Sequence, residues 1–266
     1  MYAFDYHRPT TARQAAGLLG KDEDVRLLAG GQSLLPMMKL RLVQAGDLVD
    51  LNAVDELRGI ARSPRSLTIG AMTRHAEVAD SPDVAEAIPA LAAMASTIGD
   101  PAVRAMGTLG GSIANNDPAA DYPSACLALG ATIVTNKRKI EADDFFKGLF
   151  ETALEPGELV VKVSFPVPAK AGYAKFRHPA SRFALVGVFV AKRSADIRVA
   201  VTGAGANGVF RWLEAEEALK ARFIVKSLDG LVASTDGLNS DIHADAEYRA
   251  HLIAVMAKRA VQQATA

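Results

Sequence analysis

The spacing of apolar and polar positions predicts a chain that mixes helices with strands. An Ala/Leu-rich segment with helical spacing follows the Pro9-Thr10 turn and ends near Gly20, and VRLLAG is the first predicted strand. SLLPMMKLRL is predicted to be a helix because Pro36 falls in its first turn, where a missing N–H costs no hydrogen bond. Short strands follow in DLVDL, ELRGIARS and SLTIGAMT, and helical spacing returns in HAEVADSPDVAEAIPALAAMASTIG, with a break at Ser81-Pro82.

The second half of the chain shows the same mixture and changes character near residue 168. A short helix is predicted in YPSACLALGA, and strands are predicted in ATIVTN, RKIEA and ELVVKVSFP, the last ending at Pro166 and Pro168. Antiparallel strands are predicted in YAKFRHPASRFALVGVFVAKRSADIRVAVTGAG, followed by helices in WLEAEEALKA and YRAHLIAVMAKRAVQQ. The pattern therefore predicts an α+β fold with two domains, residues 1–168 and 169–266.

Composition narrows the possible functions. Half of the 266 residues are hydrophobic, and 30 lysines and arginines balance 30 aspartates and glutamates, so neither nucleic acid nor an anionic membrane surface is an expected partner. The sequence has no run of 18 apolar residues and no secretion-signal pattern, so no membrane span and a cytoplasmic location are expected. Cys126 is the only cysteine; any iron–sulfur cluster would therefore be carried by a partner.

Two glycine pairs lie at junctions between apolar segments. The first stretch comprises Ala29, Gly30, Gly31, Gln32 and Ser33, and the second includes Thr108, Gly110, Gly111 and Ser112. Glycine lets backbone N–H groups approach a phosphate closely, and serine or threonine adds a hydroxyl donor. Neither stretch has the lysine of a nucleotide-hydrolysing loop, so phosphoryl transfer is not expected. Each pair alone is compatible with an ordinary turn, whereas two such loops in one domain favour a diphosphate such as that of FAD.

Other patterns leave alternatives open. Asp117 and Asp121, four residues apart across a proline turn, could accept hydrogen bonds from ribose hydroxyls or could cap local turns. Gly203, Gly205 and Gly208 form a G-x-G-x-x-G motif, but bulky residues follow where a dinucleotide-binding helix would have to begin, which favours a turn. The five histidines lie in separate contexts without metal-ligand spacing, so neither a metal site nor a catalytic residue is predicted.

An ordered series of motifs along nearly the whole chain resembles the FAD-binding medium subunits of molybdenum hydroxylases. This group includes the flavoprotein subunit of carbon monoxide dehydrogenase and the flavin domain of xanthine dehydrogenase. The motifs are FDYHRPTT, AGGQSLLPMMKLR, IGAMTRHAEV, GTLGGSIANNDPAADYPS, ELVVKVSFP, YAKFRHPASRFALVGV and SDIHADAEYRAHLIAVMAKRA. The ordered series is far more specific than either glycine pair alone.

The resemblance implies a two-part FAD-binding domain of the vanillyl-alcohol oxidase (PCMH) type, followed by a smaller α+β domain with a three-stranded antiparallel sheet and helices. It implies that both glycine stretches, together with Leu34, hold the FAD diphosphate. Asp121 is similar to an aspartate that meets the ribose or ribityl region, and Thr73 belongs to a stretch that lies along the cofactor. Val160 corresponds to an apolar residue beside FAD, and Arg177 to a lysine near the flavin in xanthine dehydrogenase-like members.

The resemblance also implies an electron-transfer oxidoreductase subunit. Its partners would be a molybdopterin-binding large subunit with the molybdenum cofactor and a small subunit with two [2Fe-2S] clusters, and FAD would pass electrons to an external acceptor. The sequence departs from the family where residues 104–108, RAMGT, replace R-N-x-G-T, and where Asn115-Asn116 replaces a pair similar to His-Ala. The alternatives are a stand-alone flavin oxidase or reductase, a non-catalytic assembly module and, last, a Rossmann-type dehydrogenase.

Overall fold

A computed structural model describes residues 1–20, 24–194 and 196–266 of the chain. The first part is a parallel three-stranded sheet in the order β1, β3, β2. Its strands are β1 (Asp5–His7), β2 (Val25–Leu28) and β3 (Asp47–Asp50), with helix α1 (Ala12–Leu19) before β2 and helix α2 (Leu34–Lys39) after it. Thr11 caps α1 by accepting a hydrogen bond from the N–H of Gln14. The first glycine stretch therefore leaves the carboxyl end of β2 and leads directly into α2.

The second sheet is antiparallel and has five strands in the order β4, β5, β10, β6, β7. Its strands are β4 (Ile60–Arg62), β5 (Ser66–Gly70), β6 (Thr132–Thr135), β7 (Lys139–Glu141) and β10 (Val160–Pro166). Between β5 and β6 lie α3 (His75–Asp80), α4 (Pro82–Ala87), α5 (Pro89–Ser96), α6 (Pro101–Met106), α7 (Leu109–Asn115) and α8 (Tyr122–Leu129). The predicted break at Ser81-Pro82 is confirmed, because Ser81 ends α3 and Pro82 opens α4.

The third sheet follows the connection formed by residues 167–169. Its antiparallel strands are β11 (Lys170–Arg177), β12 (Ala184–Arg193), β13 (Asp196–Thr202) and β14 (Phe210–Arg211), in chain order. Ala195, within the region predicted to form strands, lies outside the described residues. The expected three strands are present, and the structure adds a fourth because the backbone of Phe210–Arg211 pairs with β13. Helices α10 (Leu213–Ala221) and α11 (Ala246–Thr265) pack on this sheet.

Strand β12 explains how the sheets pack together. All residues from Ala184 to Ala191 are buried, since side chains on a strand alternate between two faces and both faces are covered. Phe189 belongs to the core shared with the five-stranded sheet, whereas Val188 belongs to the core shared with α10 and α11. Helix α8 is buried along its whole length and contacts β10, β12 and β13. This packing fixes Asp121, the residue before α8, against the third sheet.

The remaining elements are short and were not predicted from the sequence. They are α9 (Ala142–Phe145) and the two-stranded hairpin of β8 (Phe146–Gly148) and β9 (Glu151–Thr152). Turns of 3₁₀ helix occur at Leu51–Ala53, Asp55–Leu57 and Val225–Leu228. Within the described ranges, no helix is both long enough and apolar enough to cross a membrane.

Candidate cofactor-binding site

A cavity of about 550 Å³ brings the two glycine stretches together with the loop between β11 and β12. The predicted site residues in its wall are Ala29, Gly30, Gly31, Gln32, Ser33, Leu34, Thr108, Gly110, Gly111, Ser112, Asp121 and Val160. Ser181, Arg182 and Phe183 contribute to the wall from the third sheet. The fold thus assembles residues that are distant in sequence around one space, and its volume is typical of small-molecule sites.

The two glycine stretches pack directly against each other. A Cβ atom built on Gly30 would lie 2.2 Å from the carbonyl oxygen of Met106 and 2.7 Å from Cα of Gly107. A Cβ atom on Gly111 would lie 3.5 Å from Cβ of Ala29. At residue 30 any side chain would therefore push the two backbones apart, so glycine is required there by close approach rather than by a turn.

The backbone between β2 and α2 presents a row of unpaired donors. Within the described ranges, the N–H groups of residues 31–34 donate no hydrogen bond to another protein group. Gly31 has a φ angle of +71°, in the left-handed region that favours glycine. Successive N–H groups in such a turn form a concave donor set that suits an anionic oxygen. The first stretch thus has the donors that a phosphate group needs.

The second stretch uses its N–H groups differently. The N–H of Leu109 donates to the carbonyl oxygen of Thr73 at 3.1 Å, and the N–H of Gly110 donates to that of Ala71 at 2.8 Å. The N–H of Gly111 donates to Oγ1 of Thr108 at 3.1 Å, and the N–H of Ser112 donates to the Thr108 carbonyl oxygen at 3.0 Å. Both stretches were expected to offer backbone N–H groups to the diphosphate. This expectation is corrected for the second stretch, because the first turn of α7 is docked on the end of β5. In the part of the chain that the structure describes, the Thr108 and Ser112 hydroxyls donate to no protein group, so they are the donors this stretch can offer.

Two predicted residues lie outside the cavity wall. The buried Thr73 hydroxyl accepts a hydrogen bond from the N–H of Gly59 (3.1 Å) and donates to its carbonyl oxygen (3.2 Å). Arg177 is exposed at the end of β11, where the strand pairing shifts register between Phe176 and Arg177. Thr73 and Arg177 therefore do not line this cavity, and their expected contacts with FAD stay predictions.

Asp121 lies at the base of the cavity and is bonded to β11. Its carboxylate accepts hydrogen bonds from the Tyr173 hydroxyl and from Nζ of Lys175, which lies 2.9 Å from one oxygen and 3.1 Å from the other. Burial raises the pKa of the Asp121 carboxyl, and the Lys175 ammonium and Tyr173 hydroxyl oppose that rise. Tyr173 and Lys175 were not among the residues predicted from the sequence, because their contacts with Asp121 join distant segments of the chain.

Asp117 and the later glycine motif have local structural roles. The Asp117 carboxylate lines the cavity and accepts a hydrogen bond from the N–H of Ala119 at 2.8 Å, which is the turn-capping alternative. The N–H of Gly203 donates to Pro118 O at 2.8 Å, and a Cβ atom there would lie 2.3 Å from Ala184 O. Strand β14, not a helix, follows this loop. The G-x-G-x-x-G motif is thus a packed turn, as the sequence favoured, and the Rossmann alternative is excluded at this position.

His75 also lines the cavity, although no role was predicted for it. Its ring centroid lies 5.3 Å from that of Tyr122, and a Cβ atom on Gly107 would lie 2.6 Å from its Nε2. Burial lowers the pKa of His75 from 6.5 to about 4, and the positive charge of Arg104 contributes to this decrease. The imidazole is therefore neutral near pH 7 and adds no charge to the cavity.

The depressed pKa of His75 predicts a loss of stability in acid. Because the folded-state pKa lies below the unfolded value of 6.5, the contribution is complete above pH 6.5 and is lost as the pH falls towards 4. The loss amounts to at most about 3.5 kcal/mol, at about 1.4 kcal/mol per pKa unit. We expect His75→Gln to show a smaller decrease in unfolding free energy between pH 7 and pH 4.5 in urea titrations. An equal decrease in both proteins would contradict this assignment.

Comparison with known proteins agrees with this architecture. Residues 2–168 match the family described as "FAD binding domain in molybdopterin dehydrogenase". The carbon monoxide dehydrogenase medium chain of Hydrogenophaga pseudoflava is 35% identical, covering 99% of this chain and 97% of the relative. The nicotine 6-hydroxylase medium subunit of Paenarthrobacter nicotinovorans is also 35% identical, covering 99% and 98%.

Solved structures give the same result. Carbon monoxide dehydrogenase from H. pseudoflava matches with a TM-score of 0.89 and 36% identity, over 99% of this chain and 98% of that chain. Quinoline 2-oxidoreductase from Pseudomonas putida 86 matches with a TM-score of 0.86 and 31% identity, over 99% and 97%. Fold and site thus define a cofactor-binding subunit of an oxidoreductase. The chain belongs to the family of FAD-binding subunits of molybdenum hydroxylases, which confirms the resemblance found in the sequence.

Proposed function

We propose that this chain holds FAD in the cavity between its two glycine stretches and transfers electrons as one subunit of a heteromeric molybdenum hydroxylase. The observation that carries the proposal is the row of unpaired N–H groups at residues 31–34, in a chain that belongs to an FAD-binding family. A diphosphate carries negative charge on several oxygens, and converging N–H donors stabilise that charge without a metal or a lysine.

The residues around the cavity fit FAD. In this proposal, residues 29–34 bind the diphosphate through main-chain N–H groups, and Thr108 and Ser112 add hydroxyl donors. Gly30 and Gly110 permit the close backbone packing that shapes the cavity, since a Cβ atom on Gly110 would lie 2.5 Å from Cβ of Ala71. Asp121 contributes a polar side chain to the cavity wall, and Val160 contributes an apolar one. When bound, FAD would take up electrons and release them singly or in pairs; the protein's part is binding, orientation and exclusion of water.

The relatives support a heteromeric assembly. They are named medium chains or medium subunits, and this chain covers nearly their whole length. By this proposal, a large subunit binds the molybdenum cofactor, a small subunit carries the [2Fe-2S] clusters, and FAD passes electrons from the small subunit to an external acceptor. The single cysteine of this chain, Cys126, is buried, which is consistent with clusters held elsewhere.

The same proposal includes the division into domains and the cellular location. The chain would divide into an FAD-binding domain of the vanillyl-alcohol oxidase (PCMH) type at residues 1–168 and an α+β domain at 169–266. The family match over residues 2–168 and the connection between β10 and β11 support this division. The assembled complex would act in the cytoplasm, which cell fractionation can test.

The flavin content of the purified complex tests the proposed function. The chain, co-expressed with its partner subunits, is expected to purify with about one FAD per copy, measured as the flavin released when the protein is denatured. A correctly assembled complex that releases no FAD on denaturation and takes up none when FAD is added would contradict the proposal.

A further inference from the structure

Lys175 lies at the centre of a buried polar cluster between the second and third sheets. Its side chain is 3% exposed, and that of its partner Asp121 is 5% exposed. Nζ of Lys175 lies within hydrogen-bonding distance of both Asp121 oxygens and also donates to the carbonyl oxygen of Thr97 at 3.1 Å. The Tyr173 hydroxyl donates to the same carboxylate. One ammonium group therefore joins three separate elements of the fold.

Each of these elements contributes to the cavity wall. Asp121 is itself part of the wall, and Thr97 is followed directly by the wall residues Ile98 and Gly99. Lys175 and Tyr173 belong to β11, and the loop after β11 contributes Ser181–Phe183. Movement of the ammonium would therefore displace three parts of the wall together. Arg177, which the resemblance placed near the flavin, makes none of these contacts.

The cluster also controls the charge that faces the bound molecule. A carboxylate without a counterion in the cavity wall would repel an anionic diphosphate and would be poorly solvated. The ammonium of Lys175 neutralises Asp121 without entering the cavity wall. Removing one partner of a buried ion pair is costly because the other charge stays buried, whereas removing both charges together can be nearly neutral.

We propose that Lys175 is a positioning residue for FAD: it neutralises Asp121 and fixes the three wall segments, so that the cavity retains the cofactor. This inference rests on the proposed function and extends it to a residue that makes no contact with the cavity. If Lys175 acts in this way, its effect on the affinity for FAD must depend on the charge of Asp121.

FAD affinity of the assembled complex at two pH values tests this dependence. In Lys175→Met, Asp121 is left without its counterion, so we expect the Kd for FAD to rise about 30-fold at pH 8 and less than about 10-fold at pH 6, where the carboxyl is more often protonated. In the double variant Asp121→Asn/Lys175→Met, the Kd should return to within about fivefold of wild type and lose its extra pH dependence. Lys139→Met, an exposed lysine on β7, is the matched control.

Other titratable groups near Asp121 do not produce this pH dependence. They are Tyr173, Tyr122 and Cys126, and burial raises the pKa of each, so all three stay neutral between pH 6 and pH 8. His75, beside Tyr122, is neutral over the same range. A pH-dependent loss of FAD in Lys175→Met is therefore assigned to Asp121.

The outcomes separate this inference from the proposed function. Wild-type complex with stoichiometric FAD supports the proposed function whatever the variants do. Unchanged affinity in Lys175→Met at both pH values, or a double variant that binds FAD as weakly as Lys175→Met or more weakly, would overturn the positioning role. If Lys175→Met does not fold, Tyr173→Phe removes one oxygen from the same cluster; we expect FAD to bind about fivefold more weakly, and unchanged affinity would overturn the inference.

Discussion

Gly30→Ala is expected to remove FAD from the complex. The added methyl group would lie 2.2 Å from the carbonyl oxygen of Met106 and 2.7 Å from Cα of Gly107, and neither backbone atom can rotate away as a side chain could. The two glycine stretches must then separate, which changes the direction of the N–H groups at residues 31–34. We expect at least about a 100-fold rise in the Kd for FAD, equivalent to about 2.7 kcal/mol.

The matched control for this variant is Gly17→Ala. Gly17 lies in α1, and among the described residues no heavy atom would come within 4 Å of its added Cβ. We expect full FAD content and a stability gain of about 0.5–1 kcal/mol, because alanine loses less entropy than glycine in a helix. FAD released by denaturing the gel-filtered complex measures the flavin content of both variants, and urea unfolding measures the gain in stability. Gly30→Ala with the wild-type flavin content would contradict the proposed packing of the two stretches.

Gly172→Ala is expected to give the largest loss of stability. A Cβ atom on Gly172 would lie 2.0 Å from the carbonyl oxygen of Ala260 and 3.0 Å from the backbone nitrogen of Ala264, so α11 rests directly on the backbone of β11. The helix would have to move outward along much of its buried face. We expect the free energy of unfolding to fall by about 3 kcal/mol or more.

This loss should appear in denaturant unfolding of the full chain, with Gly17→Ala again as the control. It should also weaken FAD binding to some degree, since Gly172 adjoins Tyr173 in the strand that holds Asp121. A Gly172→Ala chain that unfolds at the wild-type denaturant concentration would show that α11 can move at little cost, which would contradict the close packing.

Much of the fold could be predicted because its signals are local. The alternation in ELVVKVSFP, the proline in the first turn of α2 and the break at Ser81-Pro82 each depend on neighbouring residues, and each matches an observed element. The order of the strands depends on contacts between distant segments, so the pairing of β10 with both β5 and β6 could not be derived from periodicity.

The candidate site could likewise be predicted only where its signals are local. The glycine pairs could be recognised because a glycine pair followed closely by a serine has a local physical meaning, and the fold brings both stretches to one cavity. Which N–H groups remain unpaired could not be predicted, because docking of α7 on the end of β5 satisfies one set and leaves the other. The contact of Lys175 with Asp121 depends on how β11 packs against the segment before α8, which leaves no clear mark in the sequence.

The ion pair of Asp121 and the low pKa of His75 also depend on packing in the folded chain, because both require burial. Helix α8 is apolar on all sides, and that feature predicts burial. It does not predict which residue of the third sheet faces Asp121. Sequence reasoning was therefore sufficient to find the two glycine stretches that meet at the cavity, whereas their electrostatic environment followed from the three-dimensional packing.

An experimental structure of the assembled complex with FAD would show whether the N–H groups of residues 31–34 bind the diphosphate. We expect oxygens of the FAD diphosphate to lie about 2.7–3.2 Å from the backbone nitrogens of these residues, the range of N–H···O hydrogen bonds. The hydroxyls of Thr108 and Ser112 should lie on the same side of the diphosphate. A diphosphate that lies away from this backbone segment, with those N–H groups bonded to water or protein instead, would contradict the account.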